Sequence, residues 1–257
     1  MPAPSTLEGA PCWADLFTAD TDSAERFYGE LFGWNAEHGD EEKYGGYITF
    51  SKGETPVSGC MRNDGSSGTP DRWTVYLASS DAAATAASAA EHGGAVYLEP
   101  MQVPEVGTMA LVGDPGGAAV GVWQPGPFAG VGAIGEPGLP AWFELQTRAY
   151  DQVRDFYRDV FGWDEHVASD TAEFRYTTLG AEENQAAGIM DGSAMPDDAP
   201  MEWFIYFGVD DADATVAKAQ SLGGSVVWGP EDTPYGRLAT LTDPTGATFK
   251  IIAGNPS

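Results

Sequence analysis

The residues best suited to chemistry come in two matching sets. Trp13 and Asp15 stand two apart in Pro11-Cys-Trp-Ala-Asp-Leu-Phe-Thr, and Trp142 and Glu144 stand two apart in Pro140-Ala-Trp-Phe-Glu-Leu-Gln-Thr. On an extended strand a spacing of two puts an indole and a carboxylate on one face. An acid held among aromatic rings is a candidate general base for an isomerisation, lyase or hydroxylation-type step, because burial raises its pKa. The same pair can instead hold a planar ligand, with the indole stacking and the acid accepting a hydrogen bond. Burying an unpaired carboxylate is costly, so each acid needs a partner from the protein or from a ligand.

More aromatic residues fall on strand-like runs that can line the same concave surfaces: Trp73 with Tyr76, Trp203 with Tyr206, Tyr47, Tyr176, Trp123 and Trp228. They are rigid, flat and tipped with hydroxyl or indole donors, which suits a planar ligand. Cys60 reads as a buried, inert thiol, since no histidine can be set beside it. His38, His92 and His166 lie in polar segments or at a helix end and read as solvated.

These residues sit on elements that occur twice. Arg26-Phe-Tyr-Gly-Glu-Leu-Phe-Gly-Trp34 returns as Asp155-Phe-Tyr-Arg-Asp-Val-Phe-Gly-Trp163, Trp73-Thr-Val-Tyr-Leu as Trp203-Phe-Ile-Tyr-Phe, and Asp114-Pro-Gly-Gly as Asp243-Pro-Thr-Gly. Matches spread along the whole chain mean duplication. Within each copy, apolar residues at i, i+3, i+4, i+7 and i+8 predict a helix ending at Gly33, with Val153, Phe156, Tyr157, Val160 and Phe161 as its counterpart. Strands are predicted near 47–50, 57–61, 73–78, 95–98, 109–112 and 118–123, with a second helix over 81–92. That is a βαβββ unit used twice per copy, with 124–139 as connector. The charged runs 37–43 and 191–198 read as solvated loops, and 191–200 alternatively as a flap over one cavity.

The 257 residues carry 12 Lys+Arg against 39 Asp+Glu, a net charge of −27. Such a field repels phosphate backbones and anionic lipid surfaces, which argues against nucleic-acid and membrane partners, and it attracts cations. Two cysteines and the lack of a leader-like start point to a reducing cytoplasm. The uncharged stretch 116–135 is too rich in Gly and Pro to read as a membrane span.

The motif Phe-Tyr-x-x-x-Phe-Gly-Trp at 27–34 and 156–163, and a last strand after Asp-Pro-x-Gly, resemble the glyoxalase/bleomycin-resistance, or vicinal oxygen chelate, superfamily. The resemblance implies an α+β fold of two tandem modules, 1–128 and 129–257. Each module is then built of paired βαβββ units whose curved mixed sheet forms a cup, with helices outside. It also implies that Trp13 with Asp15, and Trp142 with Glu144, point into the cups. Metal ligands in the family fall on positions matching Trp13, Gly121, Trp142 and Lys250, and in dioxygenase members also near Trp73 and Trp203. None of these is a metal ligand here, so no metal or other cofactor is expected, and Lys250 becomes a candidate partner for an acid. The expected function is metal-independent binding of a planar aromatic small molecule, with a cationic one favoured, as in antibiotic resistance or natural-product biosynthesis. The alternative is a glyoxalase-like lyase, isomerase or hydroxylase-type enzyme using Asp15 or Glu144 as base. A monomer suffices for either, and a dimer is compatible with both.

Overall fold

The computed structural model describes residues 7–181 and 184–254. The first half contains β1 (Pro11–Thr18), α1 (Thr21–Phe32), β2 (Asn35–His38), α2 (Glu41–Tyr44), β3 (Ile48–Lys52), β4 (Thr55–Arg62), β5 (Arg72–Ala78), α3 (Ala82–Glu91), β6 (Ala95–Val103), β7 (Gly107–Gly113) and β8 (Ala119–Pro125). The second half contains β9 (Pro140–Thr147), α4 (Tyr150–Phe161), β10 (Glu165–Asp170), β11 (Arg175–Leu179), β12 (Ala187–Asp191), β13 (Trp203–Val209), α5 (Ala212–Ser221), β14 (Ser225–Thr233), β15 (Gly236–Thr242) and β16 (Thr248–Ala253). Each half forms one eight-stranded mixed sheet. The orders are β2-β3-β4-β1-β5-β8-β7-β6 and β10-β11-β12-β9-β13-β16-β15-β14, so the duplication extends to topology.

Helix α1 forms where Asp20 accepts from the Ser23 amide and where Ala24, Phe27, Tyr28, Leu31 and Phe32 share a buried stripe. Helix α4 repeats the stripe without a side-chain N-cap. The helix-side faces of both sheets merge into one core. Phe32 meets Phe207 across the modules with centroids 5.1 Å apart. Two reciprocal hydrogen bonds fasten the halves together. Tyr28 Oη donates to Asp243 at 3.1 Å, and Tyr157 Oη donates to Asp114 at 3.2 Å. The tyrosines of the two Phe-Tyr motifs are thus bound by the Asp-Pro-x-Gly turns of the opposite modules, where burial pushes the Asp114 carboxyl up to about 6.

Two differences from the sequence reading concern edges. The run 37–43 is not a loop throughout: β2 and α2 include most of it, and β10 occupies the matching place in the second module. The strand expected over 95–98 continues to Val103 through two register shifts. Among the described residues no helix is long and apolar enough to cross a membrane.

Candidate functional site

Strand pairing decides which residues meet in each cup. On β9, Trp142, Glu144 and Gln146 share a face, and their neighbours on β13 are Tyr206 opposite Trp142 and Phe204 opposite Glu144. Lys250 on β16 lies beside Tyr206, and Gly188 on β12 lies beside Glu144. Glu144 is only 7 % exposed, yet both its oxygens are well supplied with donors. Oε1 accepts from Tyr206 Oη at 2.8 Å, Gln146 Nε2 at 2.8 Å and Lys250 Nζ at 3.3 Å, and Oε2 accepts from Tyr176 Oη at 3.1 Å. Trp142 Nε1 donates to Tyr176 Oη at 2.9 Å, and Lys250 Nζ donates to Tyr206 Oη at 3.1 Å. The Lys250 ammonium also lies 4.3 Å from the Phe204 ring centroid. Burial pulls the Lys250 pKa down, and the Glu144 charge opposes this.

Around this polar floor the cup rim is aromatic and partly exposed. Trp142 is half-buried, Trp228 on the edge strand β14 is 42 % exposed, and Phe174 stacks on Tyr176 at 5.5 Å. Trp228 pairs with Thr240, which pairs with Lys250, so its indole belongs to the cup side of the sheet.

The first cup starts from the same plan and is finished differently. Trp13 Nε1 donates to Asp15 Oδ1 and to Tyr47 Oη, both at 2.8 Å, and Tyr47 Oη donates to Asp15 Oδ1 at 2.5 Å. Gly121 replaces the lysine, and the Tyr76 ring occupies the space that a side chain there would need. Desolvation therefore raises the Asp15 pKa, partly offset by hydrogen bonds from Tyr47, Tyr76 and Trp13. The chain after β8 folds back over this end. Phe128 packs edge-on against Trp13 at 4.8 Å, Trp123 Nε1 donates to the Phe128 carbonyl at 3.1 Å, and the Val131 amide donates to the Cys12 carbonyl at 2.8 Å. Trp13 and Trp123 are buried as a result.

Most of the residues singled out in the sequence come together in these two places: Trp13, Asp15, Tyr47, Tyr76 and Trp123 in one cup, and Trp142, Glu144, Tyr176, Tyr206 and Lys250 in the other. Trp73 and Trp203 do not, which corrects their placement. Tyr76 follows Trp73, and Tyr206 follows Trp203, by three positions, an odd spacing that a strand turns to opposite faces. Their indoles donate instead to Tyr28 Oη at 3.0 Å and Tyr157 Oη at 2.8 Å in the inter-module core. Cys60 is fully buried, and desolvation pushes its thiol up to about 12.

Besides Phe128 and Phe174, four more contributors lie outside the candidate residues read from the sequence. Gln146 and Phe204 follow from continuing the alternation two residues beyond Glu144 and two before Tyr206. Gly59 and Gly188 sit beside the acids on β4 and β12, where a Cβ would overlap the hydroxyls of Tyr47 and Tyr176 respectively. Only glycine leaves room for a phenol to cross the sheet and reach the carboxylate.

The residues present do not fit the divalent metal that the resemblance implies. The four positions hold two indoles, a glycine and an amine already hydrogen-bonded to Glu144 and Tyr206. Among the described residues no three His, Cys, Asp or Glu side chains come close enough together to hold an ion.

Comparison with known proteins gives a consistent result. The family model of the Glyoxalase/Bleomycin resistance protein/Dioxygenase superfamily matches residues 12–122 and again 140–251. CFP32 of Mycobacterium tuberculosis, provisionally named a glyoxylase, is 36 % identical over 253 residues, covering 97 % of this chain and 96 % of the relative. The anthracycline biosynthesis protein DnrV of Streptomyces peucetius is 37 % identical over 265 residues, covering 95 % and 93 %. Among solved structures, the Mn(II)-bound glyoxalase from Novosphingobium aromaticivorans superposes with a TM-score of 0.65 at 17 % identity, over 96 % of this chain and 82 % of that one. The 2,3-dioxygenase LapB from Pseudomonas sp. KL28 gives 0.66 at 12 % identity, over 98 % and 94 %. These last two share the fold, whereas the two matched segments and the full-length relatives establish descent: the chain belongs to the glyoxalase/bleomycin resistance protein/dioxygenase superfamily.

Proposed function

We propose that this protein binds a planar, oxygen-bearing aromatic small molecule in the cup of the second module, without a metal ion. The observation that carries the reading is the Glu144–Lys250 floor beneath the half-buried indole of Trp142. Lys250 has three protons and two hydrogen-bond partners, Glu144 and Tyr206, which leaves one proton for a ligand oxygen. Glu144 Oε2 accepts one hydrogen bond and keeps the lone-pair capacity to accept a second from a ligand hydroxyl. A carbonyl beside a phenol presents the matching acceptor and donor along one edge of a flat ring system. Oε1 already accepts three hydrogen bonds, so a ligand donor falls to Oε2.

Relatives support the choice of ligand class. The relative DnrV is named for anthracycline biosynthesis, and anthracyclines are fused-ring hydroxyquinones, the chemistry that this floor matches. The net charge of −27 further favours a ligand carrying a cationic substituent.

The test is a titration with 1,4-dihydroxyanthraquinone, followed by tryptophan fluorescence and calorimetry on protein treated with chelator and checked by elemental analysis. Saturable binding of one molecule per chain, unchanged on adding Mn(II) or Zn(II) and weakened in Trp142→Ala by about 1 kcal/mol, is expected. Failure to saturate, or binding that requires the added metal, overturns the reading.

A further inference from the structure

The first cup shows what its apolar end accepts, because the chain itself fills it. The Phe128 ring stands edge-on to Trp13 at 89° and edge-on to Trp123 at 6.2 Å and 74°, with Val106 and Met109 in the same apolar cluster. The strand ladders carry these positions into the second cup. Trp13 faces Tyr76 as Trp142 faces Tyr206, Trp123 lies beside Ala78 as Ile252 lies beside Gly208, and Met109 faces Trp123 as Leu238 faces Ile252. The repeat offset of 129 matches Val106 with Tyr235. Trp142, Leu238 and Ile252 are each half-buried, and Tyr235 is 67 % exposed. The walls that grip a ring in the first cup are thus present and partly uncovered in the second.

We propose that Trp142, Leu238, Ile252 and Tyr235 form a subsite for one terminal aromatic ring of the ligand, held edge-on to Trp142 as Phe128 is held to Trp13. The inference rests on the reading of the second cup as a ligand site and adds the polarity of the ligand. Apart from the Tyr235 hydroxyl at the rim and the Trp142 N–H, which is committed to Tyr176, these four side chains offer no polar group. The ring they take is therefore bare or alkyl-substituted, while the oxygenated edge faces Lys250 and Glu144. Ile252 and Lys250 are two residues apart on β16, roughly 7 Å. A ligand of two or more fused rings, apolar at one end and oxygenated at the other, reaches both. Ile252 stands where the first cup has Trp123, so it sets the width of the subsite.

Two measurements test this. Ile252→Asn sets a polar amide against the bare ring and should weaken binding of 1,4-dihydroxyanthraquinone at least about tenfold while leaving the circular dichroism spectrum unchanged. Independently, titration of the wild-type protein with toluene, followed by methyl NMR, should produce saturable ring-current shifts at Leu238 and Ile252 and should shift the Trp142 indole N–H. If the quinone binds the wild-type protein and Ile252→Asn equally well, or if toluene leaves these methyl groups unmoved, the subsite is wrong. If toluene shifts them and the quinone does not bind, the subsite stands and the proposed ligand class fails.

Discussion

In the first cup Asp15 is 6 % exposed, with an indole and two phenols for company and no cation; in the second, Glu144 is 7 % exposed and held by two phenols, an amide and the Lys250 ammonium. The two acids occupy the same place in duplicated sheets, so burial is matched and the surroundings differ. Gly121 against Lys250 decides the charge, and the folded-back Phe128 segment decides access. The first cup therefore behaves as packed interior around a carboxyl that burial pushes towards its neutral form. The second keeps a balanced ion pair under an aromatic rim. One cup is thus closed by its own chain, while the matching cup keeps partly exposed aromatic residues at its rim.

The comparison breaks most visibly if the two acids are neutralised. Glu144→Gln removes the counter-charge of a buried lysine and should destabilise the protein by about 3–5 kcal/mol. Asp15→Asn removes a charge that burial disfavours, and at neutral pH it should leave stability unchanged or raise it by up to about 1 kcal/mol. Urea unfolding of the two variants at pH 7 measures both. Equal losses would show that Lys250 does not distinguish the cups. Adding Lys250→Met to Glu144→Gln should recover most of the loss, since an uncharged pair replaces the orphaned charge.

Phe128→Ala tests access. Losing a ring wedged between two indoles should cost about 3 kcal/mol, at the low end for Phe→Ala because Phe128 is half-buried. It also uncovers Trp13 and Trp123. Calorimetry with 1,4-dihydroxyanthraquinone should then report a second, weaker site in this variant. A stoichiometry that stays at one would show that the floor, and not the Phe128 segment, excludes ligand from the first cup.

Gly59→Ala and Gly188→Ala probe what the cups share. In each, the new methyl group displaces a tyrosine hydroxyl from its carboxylate, which should cost about 1–3 kcal/mol. Gly188→Ala should change tryptophan fluorescence more, because Trp142 is half-exposed and donates to Tyr176, whereas buried Trp13 keeps Asp15 as acceptor when Tyr47 moves. A similar spectral change in both variants would mean that Trp13 is as free to respond as Trp142.

Much of this was legible in the sequence because the repeat and the period-two alternation are strong signals. Trp13 with Asp15, Trp142 with Glu144, and the helical stripe from Ala24 to Phe32 all follow from spacing alone. The Lys250–Glu144 contact spans 106 residues, yet the family resemblance, by matching Lys250 to a ligand position, points to that lysine as the acid's partner. Other features left no local trace. Strands β2 and β10 lie at sheet edges with mostly exposed residues, so no apolar alternation marks them. Trp73 and Trp203 were grouped with Tyr76 and Tyr206 by residue type, although an odd spacing on a strand separates them. Phe128 lies in a Gly- and Pro-rich connector, and only tertiary packing shows that this stretch folds back over Trp13.

The smallest expected effect is the pH dependence that separates the acids. Desolvation raises the folded-state pKa of Asp15 above its unfolded value, so the folded protein holds this proton more tightly than the unfolded chain does. Its contribution to stability is fully present below the unfolded pKa and is lost as pH rises through the folded one. Within that window the unfolded chain has released the proton and the folded protein has not, so stability falls by up to about 1.4 kcal/mol per pH unit. Asp114 and Asp243 titrate in the same sense, since burial raises both, and they contribute a common background to every variant. The informative quantity is therefore the difference between wild type and Asp15→Asn in urea unfolding from pH 4 to pH 8. The wild-type protein should lose stability more steeply with rising pH than the variant. Parallel curves would mean that Asp15 is as well compensated as an acid facing a lysine, and the electrostatic contrast between the two cups would disappear.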